Sequence, residues 1–261
     1  MAAYDWITLT TDYGLSDGYA GVLHGIIARH APWVRVIDVT HLIPPGDVSR
    51  GAAVLAQAAG HLPPAVHLGV VDPGVGTNRR AVAIQTPRGI LVGPDNGLLT
   101  GAADALGGAE SAVRLTETAW FLPKVSMTFH GRDVFAPVAA RLAAGVPLAD
   151  AGPAIEPASL VRLPDPIVVL GDDYLEAEVL TVDRFGNVQL AAPGPALAGL
   201  DEHLLVGGVR ATRAETFADG QPGRLIAYVD SAGKVALAVN GGRAVVALAV
   251  TPGDVLRLTN A

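Results

Sequence analysis

Val70-Val71-Asp72-Pro73-Gly74-Val75-Gly76-Thr77-Asn78-Arg79-Arg80 is the stretch on which the chain turns. The apolar run before it, His67-Leu68-Gly69-Val70-Val71, reads as a buried strand. The run halts at Asp72-Pro73-Gly74, where Pro fixes one φ and Gly permits the next. A second apolar run, Ala81-Val82-Ala83-Ile84, follows the arginines. An acid and a base therefore flank a tight loop between two core strands. Ligands of open α/β sheets collect beyond the carboxyl ends of strands, and this is such an end.

Upstream, Trp6 to Thr11 reads as a first strand, and Thr11-Asp12-Tyr13-Gly14 ends it. Asp17 is placed to cap a helix over Gly18 to His30, with Val22, Leu23, Ile26 and Ile27 as its apolar stripe. Val34 to Val39 is the next strand, and Asp47 or Ser49 starts a helix carrying Ala52, Val54, Leu55 and Ala58 inward. Downstream, Ala81 to Gln85 and Ile90 to Val92 pair around Thr86-Pro87-Arg88-Gly89. A helix is expected near Leu98 to Leu106, an edge strand at Val113 to Leu115 and another helix over Gly131 to Ala144. Pro137 inside that last helix predicts a kink or a late start.

This alternation predicts an α/β domain with a largely parallel sheet over residues 1–160. Pro164 and Pro166 punctuate a connection over 161–172. Over 173–261 the texture turns β-rich, with short runs at Leu175 to Val182, Val188 to Leu190, Leu225 to Val229, Val235 to Val239, Ala244 to Ala249 and Asp254 to Leu258. That pattern predicts a smaller C-terminal β-barrel domain.

The composition narrows the function. Half of the 261 residues are hydrophobic and 16% are charged, which excludes a disordered chain. The formal net charge is −7 and no block of Lys or Arg occurs, so no nucleic-acid surface is expected. The absence of Cys excludes disulfides, a thiol nucleophile and a Cys-type zinc site. No run of about 18 apolar residues suggests a membrane span. Met1 to Trp6 lacks the pattern of a secretory signal, so a cytoplasmic location is expected.

Several residues carry chemistry, and each has a plainer alternative. Asp12 can accept hydrogen bonds from a vicinal diol, or it can close an Asx turn. Asp72 and Arg79, seven positions apart, form an ion pair if the loop folds back, for chemistry or for bracing. His130 in Phe129-His130-Gly131-Arg132-Asp133 has acid and base neighbours and a glycine that allows close approach, or it caps a helix. Asp133 suits a helix first turn. Asn187 in Val182-Asp183-Arg184-Phe185-Gly186-Asn187 offers donor and acceptor to a purine edge, or belongs to a hairpin turn. Ser231 in Asp230-Ser231-Ala232-Gly233 can hold a carboxylate, or the segment is a turn. A metal held by Asp12, Asp17, Asp38 and His41 is conceivable, but no compact metal motif occurs and none is expected. His24, His41, His61, His67 and His203 show no ligand spacing.

Thr11-Asp12-Tyr13-Gly14, Val71 to Thr77, Gly93-Pro94-Asp95-Asn96-Gly97, Phe129 to Asp133, Phe185-Gly186-Asn187 and Asp230-Ser231 to Asn240 follow one another over nearly the whole chain. Taken as an ordered set, they resemble the S-adenosyl-L-methionine hydroxide adenosyltransferase family, hydrolase relatives of the fluorinating and chlorinating enzymes. The resemblance implies S-adenosyl-L-methionine as substrate, adenosine and L-methionine as products, and no cofactor. It implies an Asp-Arg-His triad, falling here on Asp72, Arg79 and His130. It also implies a homotrimer, with each site formed by the N-terminal domain of one subunit and the C-terminal domain of the next.

Position by position, Asp12 resembles the ribose-diol ligand and Asn187 the adenine-edge ligand, with Phe185 beside the base. Asp183 resembles the acceptor of the methionine ammonium, Ser231 a group near the methionine carboxylate, and Val239 a backbone contact to adenine. The chain reads Ala236-Leu237-Ala238 where the family often has Glu-Ile-Ala, so any contact from that Glu is missing. The halogenating relatives carry Tyr in place of His130, no acid in place of Asp72, and tend to carry an inserted loop that Ala81 to Gly93 lacks. Hydrolysis is therefore expected. A halide-using enzyme, a nucleoside-binding protein without turnover and a metal-dependent hydrolase are the alternatives.

Overall fold

The computed structural model describes residues 4–261. Residues 1–3, the start of the Met1 to Trp6 stretch, lie outside them. The chain divides between Leu163 and Pro164 into two compact units.

In the first unit β1 (Trp6–Thr11), β2 (Arg35–Thr40), β3 (Ala65–Val70), β4 (Ala81–Thr86), β5 (Gly89–Pro94), β6 (Ser111–Arg114) and β7 (Ala154–Ile155) form one sheet in the order β2-β1-β3-β5-β4-β6-β7. The pairings β2-β1, β1-β3 and β3-β5 are parallel. From β5 outward through β4, β6 and β7 they are antiparallel. The β4–β5 hairpin falls where the sequence predicts it. The strand expected at an edge, Val113 to Leu115, is β6, and the short β7 covers it.

Helices α1 (Tyr19–His30), α2 (Val48–Ala59), α3 (Thr100–Ala105) and α4 (Ala136–Ala143) follow strands as the alternation requires. Leu23, Ile26 and Ile27 of α1 and Val138 and Leu142 of α4 pack with Ile7, Leu9 and Leu68 in one cluster. Leu55 of α2 and Ala102 of α3 pack with Ile84 and Leu91 in another. Consecutive strand residues such as Ala83 and Ile84 go to different clusters, as a two-residue period demands. Leu68 is fully buried, and Leu68→Ala would cost about 2–5 kcal/mol.

Asp47 caps α2 by accepting from the Arg50 backbone N–H at 2.9 Å. Asp17 does not cap α1: its N-cap is Gly18, with no side-chain bond. Pro137 delays α4, whose first turn tolerates a residue without an N–H. The chain reaches it through a π-helical turn, Gly131–Phe135. His67 lies fully buried in β3, with Nδ1 2.9 Å from Thr8 Oγ1. Burial first, and then the charge of Arg88, pull its pKa from 6.5 to about 4.

The strand order places the site. From β1 the chain goes to β2 on one side, then to β3 on the other. Such a switch opens a crevice beyond the carboxyl ends of the two diverging strands. Thr11, the last residue of β1, is in register with Val70, the last of β3. Asp12 and Asp72 therefore emerge at the same rim.

The second unit contains β8 (Val168–Leu170), β9 (Tyr174–Val182), β10 (Val188–Pro193), β11 (His203–Val206), β12 (Val209–Arg213), β13 (Leu225–Val229), β14 (Lys234–Val239), α5 (Ala244–Leu248) and β15 (Val255–Asn260). The order β10-β14-β13-β12-β11-β15-β9-β8 closes through an added β10–β9 pairing into a seven-strand barrel with β8 alongside. β9 alternates between buried and half-buried residues along its length and sends Leu175, Ala177 and Val179 into the barrel core. One expectation fails here. Ala244 to Ala249 is not a strand but the short helix α5, closed by Ala249 in the left-handed region at φ 52°. Small residues without period-two alternation do not commit a segment to a pleat.

Candidate active site

The loop after β3 folds back on itself. The backbone N–H of Val75 donates to the Asp72 carbonyl at 3.1 Å, and that of Thr77 to the Gly74 carbonyl at 3.1 Å. Gly76 has φ +77°, and any Cβ there would strike the Met127 carbonyl, so only glycine fits. The fold-back returns Arg79 to Asp72 as a two-pronged pair, Nε to Oδ1 at 2.9 Å and Nη2 to Oδ2 at 2.5 Å. Only 11% of the Arg79 side chain and 5% of the Asp72 side chain are exposed. This is a shielded charge pair of matched geometry rather than a surface bridge. Arg80 turns elsewhere, to Asp95 through Nε at 2.6 Å. Asn96 donates to the Val71 carbonyl at 2.9 Å and so fixes the chain just before Asp72.

The third member arrives from 51 residues away. His130 precedes the π-helical turn, and Arg79 Nη2 lies 2.9 Å from its Nδ1. A guanidinium only donates, so Nδ1 accepts and the ring's proton sits on Nε2. Burial and then the Arg79 charge pull the His130 pKa below its ordinary 6.5, with Asp72 and Asp133 pulling the other way. The imidazole is thus held neutral. A Cβ on Gly131 would collide with the Tyr13 hydroxyl, so the glycine is what allows the close approach. Asp133 lies in the first turn of the helical segment, as expected, and is also held by its neighbours. It accepts from Arg132 Nε at 2.6 Å and from the Ser126 backbone at 2.8 Å. Burial raises its pKa, but those bonds hold the net value below the usual carboxylate range.

Asp12 accepts from the Gly46 backbone N–H at 2.8 Å through Oδ2. The local turn at this point is made by Thr11, whose Oγ1 accepts from the Tyr13 N–H at 3.2 Å. Asp12, Asp72, Val75, Thr128 and His130 line one cavity of about 310 Å³. A second cavity of about 500 Å³ shares Asp12, Tyr13 and Thr128 and adds Tyr19, Phe129 and Arg132. Phe129 meets Tyr13 and Tyr19 edge-on, with centroids 5.5 and 5.2 Å apart. Burial, and next Asp12, push the Tyr13 hydroxyl pKa up, so it stays protonated. Sequence reasoning gave this aromatic wall no role. Its signal is Tyr13 and Phe129 in the two motifs, with Tyr19 six residues after Tyr13, in a chain only 5% aromatic.

The candidates in the second unit sit on its hairpins. Asp183 Oδ1 accepts from the Phe185 and Asn187 backbones, both at 2.9 Å, and Oδ2 accepts from Asn187 Nδ2 at 2.8 Å. Asp183 therefore braces its own turn. Asn187 keeps Oδ1 and a second N–H, and Phe185 is 67% exposed. Ser231 is exposed in the β13–β14 turn. Val239 ends β14 opposite Leu225, and its carbonyl accepts from the Gly242 N–H at 3.0 Å. Among the described residues, the group able to gather round a cation is His24, Asp38 and His41, without Asp12 or Asp17.

Fold and site together define a two-unit α/β-plus-barrel protein whose first unit has a small-molecule-sized cavity lined by Asp12, Asp72 and His130, the last two joined through Arg79. Residues 7–152 match the SAM hydroxide adenosyltransferase N-terminal domain and residues 177–257 the C-terminal domain, and the chain belongs to that family. It is 64% identical over 259 residues, 99% of each chain, to the (R)-S-adenosyl-L-methionine hydrolase of Salinispora arenicola. It is 30% identical, over 90% of each chain, to a fluorinase of an Actinoplanes species. The crystal structure of an uncharacterized conserved protein from Thermotoga maritima matches 97% of this chain and all of that one, with TM-score 0.90 and 37% identity.

Proposed function

We propose that the chain is an enzyme that hydrolyses S-adenosyl-L-methionine to adenosine and L-methionine, with Asp72, Arg79 and His130 as its catalytic residues. The observation that carries the catalytic assignment is the Arg79 guanidinium, held between the Asp72 carboxylate and His130 Nδ1, two residues that line one cavity. The 64% identity to a named hydrolase, against 30% to a fluorinase, supports hydrolysis over halogenation.

The substrate is a sulfonium, so methionine departs as a neutral thioether and needs no acid. The nucleophile is the difficulty. Water must reach C5′ opposite the sulfur, and fixing the two in line removes up to roughly 7–11 kcal/mol of the barrier. Arg79 cannot act as a base; it orients the water and favours hydroxide character by its charge. A C5′–O bond forms as the C5′–S bond breaks, the electron pair goes to sulfur, and the water loses one proton. We assign that proton to His130, which surrenders a single contact to take it, whereas both Asp72 oxygens are bonded to Arg79.

Asp12 holds the ribose diol through its remaining oxygen, Asn187 reads the adenine edge, and Phe185 covers the base. Ser231 and the Val239 backbone complete the contacts. Asp183 meets the methionine ammonium only by sharing oxygens already committed to its turn. No cofactor takes part.

The homotrimer with inter-subunit sites belongs to the same proposal. Mixing nearly inactive His130→Asn subunits with Asn187→Ala subunits then creates some sites with both halves intact, and these show the lower KM of the parent. The charged substrate does not cross membranes unaided, which fits a cytoplasmic enzyme; no helix among the described residues is long and apolar enough to span one.

Product analysis tests the function. Adenosine and methionine in equal amounts, insensitive to chloride, fluoride or chelator, is the expected result. Formation of 5′-halo-5′-deoxyadenosine, or adenosine binding with no methionine released, refutes it.

A further inference from the structure

A second cluster touches Thr11 through His41. His24 belongs to α1, Asp38 to β2, and His41 follows β2. His24 Nε2 is 2.8 Å from Asp38 Oδ1, and His41 Nε2 is 3.1 Å from the same oxygen. One ligating atom from each residue falls within 4.8 Å of the other two. His24 and Asp38 have side chains 39% and 45% exposed, whereas that of His41 is 2% exposed.

The buried imidazole supplies an independent observation. His41 Nε2 is closed off from solvent and has no hydrogen-bond partner, although it is aimed at Asp38. Its other nitrogen is engaged, with Nδ1 2.8 Å from Thr11 Oγ1. A ring anchored at Nδ1 by an oxygen, with Nε2 turned to a carboxylate but making no hydrogen bond, is the arrangement that orients metal-binding histidines.

We propose that His24, Asp38 and His41 form a three-ligand site for a divalent transition cation of the zinc class. Two imidazoles and one carboxylate suit such ions; calcium and magnesium prefer oxygen alone. Bonds of about 2.0–2.2 Å round a tetrahedral ion put ligand atoms roughly 3.3–3.5 Å apart. The contacts to Asp38, now 2.8 and 3.1 Å, then lengthen by roughly 0.2–0.7 Å, a movement open to the exposed His24 and Asp38 side chains. A solvent molecule takes the fourth position. The bound ion ties α1 to β2 and fixes His41, and through it Thr11, the residue before Asp12. It therefore stiffens the rim of the cavity and supplies no chemistry to it.

The test uses the full chain stripped with a chelator, then titrated with Co²⁺ followed by absorption and with Zn²⁺ followed by calorimetry. The expected result is one ion per chain, visible bands of a four- or five-coordinate Co²⁺, displacement of Co²⁺ by Zn²⁺, and a raised Tm. His24→Ala and Asp38→Ala each abolish the bands and weaken binding by more than the roughly 10–100-fold typical of outer-shell changes, with circular dichroism unchanged. Absence of saturable uptake in the parent chain, or undiminished uptake in both variants, overturns the proposal.

Discussion

Two loops in this molecule use the same residue types in opposite ways. After β3, Asp72 commits both oxygens to Arg79, and Arg79 reaches His130, 51 residues further along. After β9, Asp183 commits both oxygens to groups no more than four residues away. The first arrangement is long-range, shielded and aimed at a cavity. The second is local and leaves Phe185 and part of Asn187 facing outward. Fixed, shielded charges suit transition-state stabilisation, and a braced surface turn suits recognition. Substitutions in the first loop should therefore lower kcat, and those in the second should raise KM.

The sharpest way to break that contrast is Arg79→Ala, which strands Asp72 and His130 together. We expect kcat to fall about 10⁴-fold in steady-state assays. Arg79→Lys keeps the charge but not the fork and should recover only part of it. Next comes His130→Asn, expected to cost about 10²–10³-fold in kcat with adenosine affinity unchanged. If neutral His130 takes the proton as proposed, its lowered pKa means the parent rate should hold at pH 7 and drop only well below pH 6.5. That acid limb should vanish in the variant; its persistence would transfer the proton to Asp72.

A stability effect separates site chemistry from scaffold. His67 binds its proton at pH 6.5 when unfolded but at about 4 when folded. Between those values the unfolded chain holds more protons, so stability falls as pH falls, by about 3 kcal/mol in total. Denaturant titrations across that window measure it, and His67→Gln should flatten the slope.

The smallest effects belong to binding. Asp12→Ala should raise KM about 10–100-fold, since a charged acceptor is lost from the diol. Asn187→Ala should raise it about 5–10-fold, with kcat little changed. A kcat loss in Asn187→Ala equal to that in His130→Asn would erase the distinction between the loops.

The sequence made some of this legible and hid the rest for physical reasons. Asp72 and Arg79 share one loop whose Pro and Gly announce the fold-back, so their pairing could be read from spacing. His130 had no such local signal, and only the ordered family motifs linked it to them. The crevice at β1 and β3 depends on strand order, which hydrophobic period does not encode. In the second unit the β11–β12 hairpin passed unnoticed despite Gly207-Gly208, a strong turn signal. The Ala244 to Ala249 run was misread because apolar content alone does not separate a short helix from a strand. His24, Asp38 and His41 meet only because α1 packs beside β2.

The most direct test of the central claim is to run the reaction in ¹⁸O-labelled water and weigh the adenosine formed. Attack of a solvent molecule held by Asp72, Arg79 and His130 predicts one ¹⁸O atom at the 5′-hydroxyl in every turnover. Adenosine carrying no label would mean that its oxygen came from another source, and that these three residues do not direct water to the ribose carbon.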